Sequence, residues 1–309
     1  MNAKPTSRIS PDNLPACDLC GARDAAFVLS TARLDGPLMR CRRCGLYYVI
    51  LPEALPAPSV AQNHSQQTAA EMERLAARAR ELALVEPAVE ENEGPWRALM
   101  ARERLQDLQR FVPRGRLLEV GCATGEMLAA AAAAFEAVGV EADIANSQIA
   151  QTRGLACYTG TLTDARFPAA SFDVAALYHV IEHFRSPRAE LAELQRVLKP
   201  GGYLVLETPN IATFWFRLLG ARWRQFIPDH IFFYTPQTLT RLCQEQGFVV
   251  RELRSAGKAM SVRLFLNRLG RLHAPTADLL SKFSRPFALD ERTVRLKLGD
   301  VMRLYAQRQ

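Results

Sequence analysis

The sequence predicts an α/β protein built on a parallel sheet, and three observations support this class. A short apolar run, 117–120, is followed by a glycine-spaced turn and an alanine-rich stretch that favours helix. A second apolar run ends in Glu141, about twenty residues after Gly121. Two further apolar runs, 172–178 and 203–209, are separated by an amphipathic helical pattern. Strands that alternate with helices are typical of parallel sheets.

The turn at residues 121–125 joins the first predicted strand to the first helix of this unit. Open α/β sheets hold nucleotide-like ligands at this kind of junction. Gly121 and Gly125 permit positive φ and a close approach of the backbone to a ligand. A carboxylate at the end of the second strand, Glu141, is placed to accept hydrogen bonds from ribose hydroxyls. These features together predict a site for an adenosine-containing cofactor.

The later stretches of the domain narrow the choice of cofactor. Residues 171–183 read as a strand that runs into a loop rich in ionisable groups, and Lys199-Pro200-Gly201-Gly202 ends the helix before the next strand. Together with the first turn, these stretches resemble those of the class I S-adenosylmethionine-dependent methyltransferases. They follow one another in the family's order and cover about half of the chain. A NAD-binding Rossmann domain is the alternative for the first turn, but it gives no reason for the later stretches.

The resemblance implies a Rossmann-like seven-stranded sheet in which 248–253 is the sixth strand and 301–306 the last, antiparallel strand. Ala123 departs from the family, which often has glycine there, and we expect a small cost provided that its φ stays negative. The resemblance and the turn pattern predict a set of S-adenosylmethionine-binding residues: Glu119, Gly121, Cys122, Ala123, Thr124, Gly125, Glu141, Ala142, Thr161, Leu162, Tyr178 and His179, with Asp164 an alternative near the adenine.

Four of the seven cysteines form two pairs, Cys17-x-x-Cys20 and Cys41-x-x-Cys44. Each pair puts two thiolates on one tight turn, and this spacing fits a tetrahedral zinc site. Four thiolates leave no open coordination position, so the predicted Zn²⁺ is structural and stabilises a segment too short to bury much core. Cys122, Cys157 and Cys243 are spaced like ordinary buried cysteines, and no chemistry is assigned to Cys122.

At 309 residues the chain is long enough for one α/β domain of about 200 residues with smaller attachments. It has no apolar run near the length of a membrane span and no signal-like start, so we expect a cytoplasmic protein. The predicted divisions are a disordered start at 1–15, a zinc ribbon at 16–52, a helical linker or cap at 53–112, and a methyltransferase domain at 113–309 with insertions at about 211–235 and 258–290.

Methyl transfer from a sulfonium is a direct displacement, which depends on alignment of the acceptor atom with the S–CH₃ bond. A hydroxyl or carbon acceptor also needs a base to remove its proton. The candidate bases are His230 and His183, with His179 a further one. The Asp229-His230 step partly resembles the acid-His step of zinc-containing sugar C-methyltransferases. The alternative for His183 is a structural role at a helix start. Three aromatic residues of the 211–235 insertion either stack on the acceptor or pack in the core: Trp215, Trp223 and Tyr234.

The zinc ribbon ahead of such a domain resembles bacterial methyltransferases of sugar, polysaccharide and natural-product pathways, and also ribosomal-RNA methyltransferases. The net charge is +7, but the positive excess lies after residue 211 and away from the ribbon. We therefore expect O- or C-methylation of a small-molecule or carbohydrate-linked acceptor. The alternatives are an RNA base methyltransferase and a non-catalytic scaffold. The basic amphipathic segment 260–272 is a candidate for peripheral membrane contact, with packing on the main domain as the alternative.

Overall fold

A computed structural model describes residues 14–51, 94–261 and 293–309 of the chain. Its strands, in chain order, are β1 Ala25–Leu29, β2 Leu38–Cys41, β3 Tyr47–Val49, β4 Gly115–Val120, β5 Phe135–Glu141, β6 Cys157–Thr159, β7 Phe172–Tyr178, β8 Leu198–Pro209, β9 Phe232–Phe233, β10 Phe248–Ser255, β11 Lys258–Ser261, β12 Thr293–Leu296 and β13 Val301–Arg308. Its α-helices are α1 Gly94–Gln109, α2 Glu126–Ala131, α3 Ile144–Thr152, α4 Pro187–Val197, α5 Phe214–Leu219 and α6 Pro236–Glu245.

The larger sheet has seven strands in the order β10-β13-β8-β7-β4-β5-β6. The strands from β8 to β6 run parallel, and β13 lies antiparallel between β8 and β10. This confirms the predicted seven-stranded α/β fold with an antiparallel last strand. The strand order reverses at β4, so the carboxyl ends of β4, β5 and β7 meet where open α/β sheets bind ligands.

Local sequence explains the helix boundaries. Ser186 caps α4 by accepting from the backbone N–H of Ala189, with proline at the first turn. Thr235 and Thr238 form a capping box at the start of α6. The helix that follows the glycine turn covers only α2 and ends before the alanine-rich stretch does, because the chain turns at 132–134 to enter β5.

The cysteine-bearing segment joins the main domain rather than standing apart from it. Its strands β1, β2 and β3 form a four-stranded antiparallel sheet with β9, which comes from the insertion after β8. Its apolar side chains Leu14, Leu19 and Tyr48 belong to the same buried cluster as residues of α4 and β8. Asp18 accepts hydrogen bonds from Ser186 Oγ at 2.8 Å and from the Arg188 N–H at 3.0 Å.

Several predictions fall on residues outside the described ranges. They are most of the disordered start at 1–15, most of the helical linker or cap at 53–112, and most of the basic segment 260–272. Strands β11 and β12 pair with each other on either side of the undescribed residues 262–292. In the part of the chain that the structure describes, every helix is too short or too polar to cross a membrane.

Candidate active site

A cavity of about 480 Å³ lies at the carboxyl ends of β4, β5 and β7. One side is formed by the turn after β4 and the end of β5, and includes Gly121, Ala123 and Glu141. Other parts of its wall come from the loop after β7, from the cysteine-bearing segment and from the residues just before β9. The cavity therefore brings together segments that are far apart in sequence.

The turn after β4 is specified by steric limits. Gly121 has φ 72°, and a Cβ there would lie 2.4 Å from Val180 Cγ2. Gly125 has φ 87°, and a Cβ there would meet Leu155 Cδ1 at 2.4 Å. Ala123 also has a positive φ, 47°, so the condition under which we expected only a small cost for alanine at this position is not met. An alanine in the left-handed region stores strain of about 1 kcal/mol, and such strain is common at ligand-binding turns.

Glu141 connects this turn to the end of β5. Its Oε2 accepts a hydrogen bond from the Ala123 N–H at 2.7 Å, and its Oε1 accepts from the Asp143 N–H at 2.8 Å. Burial raises the pKa of the carboxyl group against the effect of these bonds. Each carboxylate oxygen can accept more than one hydrogen bond, so a diol at the cavity wall has acceptors available.

Glu119 is buried at 4 % exposure beneath the turn and does not line the cavity. Its Oε2 has no hydrogen-bond donor among the described residues. Burial raises the pKa of this carboxyl to about 8, although the charge of Arg104 acts in the opposite direction. A buried carboxyl oxygen without a partner lowers stability when the group is charged, so the neutral form is favoured beneath the glycine turn.

His179, at the end of β7, lies between two buried carboxylates. Its backbone has φ 60°, its Nδ1 is 3.2 Å from Glu182 Oε1, and its Nε2 is 3.4 Å from Glu207 Oε1. Burial opposes ionisation of Glu182, but the hydrogen bond and charge of His179 bring its pKa down to about 2. Arg104 and Arg303 contact Glu207 at 2.6 and 2.5 Å and hold its pKa well below the usual range despite burial.

His183 and Asp229 form an ion pair on the cavity wall. The distance from His183 Nδ1 to Asp229 Oδ2 is 3.1 Å, and both residues line the cavity. Burial lowers the pKa of His183, but the charge and hydrogen bonding of Asp229 outweigh it and raise the pKa to about 9. Burial raises the pKa of Asp229, but the charge and hydrogen bond of His183 outweigh burial and lower that pKa below its ordinary value. This arrangement places a proton-holding imidazole, oriented by a carboxylate, at the cavity surface.

His230 lies behind this wall at 4 % exposure, and it is not among the cavity-lining residues. Its Nδ1 donates to the backbone carbonyl of Gln225 at 2.8 Å, and its ring packs edge-on against His183 with centroids 4.7 Å apart. Burial and the charge of His183 lower its pKa to about 4. Ligand atoms of Glu182, His183 and His230 lie within 4.8 Å of one another, close enough to share a metal ion.

The structure brings many of the predicted cofactor residues to the cavity and leaves others behind the turn. Those on the wall are Gly121, Ala123, Glu141, Ala142, Thr161, Leu162, Tyr178 and His179. Those away from it are Glu119, Cys122, Thr124 and Gly125. No sequence pattern pointed to Asp35 and Leu51, which enter the wall from the cysteine-bearing segment, or to Glu190 of α4. Only tertiary packing places these three beside the turn.

The aromatic residues after β8 pack in the core, which was one of the two alternatives for them. Trp223 and Tyr234 are fully buried, and Trp215 packs against the cluster that contains Trp223. Trp223, Phe226 and Phe233 contact one another edge-on or tilted, with centroids 5.2–6.0 Å apart. These rings stabilise the segment that carries Asp229 and do not line the cavity.

The four paired cysteines converge as the spacing predicts. The Sγ atoms of Cys17 and Cys44 are 3.5 Å apart, and those of Cys20 and Cys41 are also 3.5 Å apart. Four thiolates around Zn²⁺ stand about 3.8 Å from one another, since each Zn–S bond is about 2.3 Å long. Burial raises the pKa of the Cys44 thiol to about 11, and a divalent cation reverses this preference for the protonated form. The donor set therefore fits a structural zinc ion.

Comparisons with known proteins agree with this geometry. The model of a family described as "Methyltransferase domain" matches residues 92–253. Ubiquinone biosynthesis O-methyltransferase of Cereibacter sphaeroides strain KD131 is 33% identical over 147 residues, which cover 43% of this chain and 59% of that protein. An uncharacterized protein of Methanocaldococcus jannaschii is 30% identical over 109 residues, covering 35% of this chain and 51% of its own.

Solved structures also match. A possible histamine N-methyltransferase from Thermotoga maritima aligns with a TM-score of 0.49 and 21% identity, over 72% of this chain and 95% of its own. The matched stretch spans about half to three-fifths of the two curated relatives above.

Proposed function

Since the chain belongs to the methyltransferase domain family whose model matches residues 92–253, we propose that it is an S-adenosylmethionine-dependent O-methyltransferase. The proposed acceptor is a hydroxyl group of a small-molecule or carbohydrate-linked compound. The observation that carries the proposal is the His183–Asp229 ion pair, which lines the same cavity as the glycine turn and Glu141.

The residues on the glycine-turn side of the cavity fit S-adenosylmethionine. Gly121 and Ala123 bring the backbone of the turn to the cavity wall, and Glu141 offers carboxylate oxygens for a ribose diol. The cofactor supplies a methyl group on a positively charged sulfur. The protein has to hold the acceptor in line with that group and exclude water from the path.

A hydroxyl acceptor has to lose its proton as the new C–O bond forms, and His183 is the group placed to take it. Asp229 fixes the orientation of the imidazole through Nδ1, and this leaves Nε2 for the acceptor. With a pKa of about 9 the free imidazole is protonated at neutral pH. A cation held in the same cavity lowers that pKa by like-charge repulsion, which favours the neutral base form.

Two arguments support oxygen as the acceptor atom, one from the relatives' names and one from the base at the cavity wall. The curated relatives from Cereibacter sphaeroides and Burkholderia pseudomallei have names that specify an O-methyltransferase. The base at the cavity wall is also a feature that hydroxyl acceptors need and that amines need less, because a neutral amine attacks before it loses its proton. The acceptor's carbon framework is left open by both arguments.

The first test is calorimetric titration of S-adenosylhomocysteine into the folded, zinc-loaded protein. We expect micromolar binding, weakened at least about tenfold in Glu141→Ala, because the variant loses both the ribose contact and a support of the turn. Glu136→Ala is the matched control, since this carboxylate is on the same strand but largely exposed. A folded protein that does not bind would contradict the enzyme proposal and favour the scaffold.

The second test addresses His183. We expect His183→Gln to lower kcat by about 10²–10⁴-fold with hydroxylated acceptors while affinity for S-adenosylhomocysteine is retained. NMR titration of the free protein should show His183 titrating near pH 9 and, in Asp229→Asn, falling toward the ordinary value of 6.5. Equal loss of kcat in His230→Gln with no change in His183→Gln would assign the base to the buried histidine instead.

RNA base methylation is the second candidate function because three arginines surround the outer face of the cysteine turns. Arg40, Arg42 and Arg43 border a cavity of about 490 Å³ there. RNA binding would weaken steeply with salt and would depend on these arginines. Methyl transfer to small hydroxylated acceptors that is insensitive to Arg43→Gln favours the small-molecule proposal, and the opposite pattern favours RNA.

A further inference from the structure

Helix α5 exposes two large apolar side chains on one face. Phe214 is 66% exposed and Leu218 is 61% exposed, and their separation of four residues puts them one above the other on the helix surface. Among the described residues, the other exposed large apolar side chains lie on β1, α3 and β6, one on each element. Two neighbouring apolar groups in water form a patch, whereas single ones are ordinary.

The opposite side of α5 is firmly packed, so this exposure is a fixed property of the fold. Phe216 contacts the rings of Tyr47, Trp223 and Phe226 with centroids 5.6–6.3 Å apart. Thr213 caps the helix by accepting from the Trp215 N–H. Phe214 and Leu218 therefore point outward because the helix is held by its other face.

The charge around this patch is positive. Residues 211–228 contain three arginines and no acidic residue. Asp300 neutralises Arg224 at 2.6 Å, but Arg217 and Arg222 are exposed and have no ion-pair partner among the described residues. We call Phe214, Arg217, Leu218 and Arg222 the α5 patch.

We propose that the α5 patch docks on the surface of an anionic lipid bilayer. Phe214 and Leu218 would enter the boundary between headgroups and acyl chains, and Arg217 and Arg222 would contact lipid phosphates. Arginine suits this position because its apolar stem can lie along the membrane while the guanidinium stays with the phosphates. A patch that combines two exposed apolar side chains with two exposed arginines matches this partner in both respects.

The patch adjoins a loop that forms part of the cavity wall. Thr31 Oγ1 donates to the Ala221 carbonyl at 3.3 Å, and Arg33 donates to the Arg222 carbonyl at 3.4 Å. The same loop carries Asp35, which lines the cavity. Docking would thus place this wall of the cavity near the bilayer. If the proposed function holds, this position suits an acceptor that carries a lipid tail.

The test is co-sedimentation of the purified full chain with vesicles of phosphatidylcholine alone or mixed with phosphatidylglycerol. We expect binding to the anionic vesicles that falls at least about tenfold in the double variant Phe214→Ser/Leu218→Ser. Arg217→Gln/Arg222→Gln should lose the preference for anionic lipid. Phe27→Ser, with 61% exposure on β1, and Arg251→Gln, exposed on β10, are the matched controls and should bind as the parent protein does.

Three results would overturn the proposal. They are no vesicle binding by the parent protein, equal losses in the control variants, and light scattering that shows a dimer abolished by Phe214→Ser/Leu218→Ser, which would make the patch a contact between two copies. Titration of S-adenosylhomocysteine into each variant separates this proposal from the proposed function. A variant that loses vesicle binding but keeps the parent's affinity for S-adenosylhomocysteine supports docking. If neither the parent protein nor any variant binds S-adenosylhomocysteine, only the methyltransferase proposal is contradicted.

Discussion

At the scale of single residues, two buried glutamates near the cavity show that hydrogen-bond partners determine whether a buried carboxyl group is ionised. Glu182 is fully buried and accepts hydrogen bonds from Thr208 at 2.9 Å and from His179, so it stays ionised. Glu119 is nearly as buried, but its Oε2 lacks a donor among the described residues and its pKa is about 8. The first carboxylate is a stable part of the structure, while the second lowers stability whenever it is charged without a ligand.

We expect Glu119→Gln to stabilise the free protein at alkaline pH. The folded-state pKa of about 8 lies above the ordinary 4.5, so the parent protein loses stability as pH rises through this interval. Urea denaturation at about pH 9 should show a gain of roughly 1–3 kcal/mol in the variant, shrinking toward zero in acid. A variant less stable than the parent at alkaline pH would show that Glu119 is satisfied in the free protein.

The sequence predicted the residues of the site that belong to one local pattern. Glu141 and the glycines were found because strand, turn and acid follow one another within about twenty residues. The His183–Asp229 pair was not found, although both residues were noted, because their contact depends on how β9 and its flanking loop fold back over the end of β7. His230 was expected as the leading base, but burial and its bond to the Gln225 carbonyl place it behind the wall.

At the scale of elements, the turn after β4 and the loop after β7 are fitted to each other. Gly121 approaches Val180 so closely that a Cβ at position 121 requires one of the two segments to move. Strands β4, β5, β7 and β8 of the larger sheet were predictable because each contains a compact apolar run between turn residues, whereas β6 has only three residues and no such run. Strand β9 was not, since it has only two residues and is defined by its pairing with β3.

Gly121→Ala should destabilise the protein by roughly 2–4 kcal/mol, because it combines a left-handed φ of 72° with a clash at Val180 Cγ2. Val180→Ala should relieve the clash but not the backbone strain, so the double variant recovers only part of the loss. Thermal unfolding of the two single variants and the double variant measures this coupling. Additive losses would mean that the loop after β7 moves freely away from the turn.

At the scale of the whole molecule, the cysteine-bearing segment serves the cavity as well as its own stability. It contributes Asp35 and Leu51 to the wall, and it is joined to the main domain by β9, by Asp18 and by a shared apolar cluster. Its cysteine spacing predicted a metal site, but it did not predict this attachment. The contacts that make it part of one molecule are with residues more than a hundred positions later.

We expect the protein to bind one zinc ion per chain, and we expect the cysteine-bearing segment and the main domain to unfold in a single transition. Cys44→Ser should remove the metal and lower the midpoint of unfolding of the entire protein by several degrees, since a structural zinc stabilises the folded state directly. Activity at a permissive temperature should show a raised KM for the acceptor with little change in affinity for S-adenosylhomocysteine. Cys243→Ser is the control for loss of a buried thiol without loss of metal. An acceptor KM unchanged in the zinc-free protein would contradict a role for this segment in the cavity.

The pairing of β3 with β9 also sets an order of events during synthesis. Cys41 and Cys44 leave the ribosome just before strand β3, whereas the partner of β3 at Phe232–Phe233 follows only after strands β4 to β8. Until then β3 is an open edge, able to pair with another nascent chain. A fragment cut before residue 232 keeps this edge, so the cysteine-bearing segment is not a module that can be moved intact to another protein.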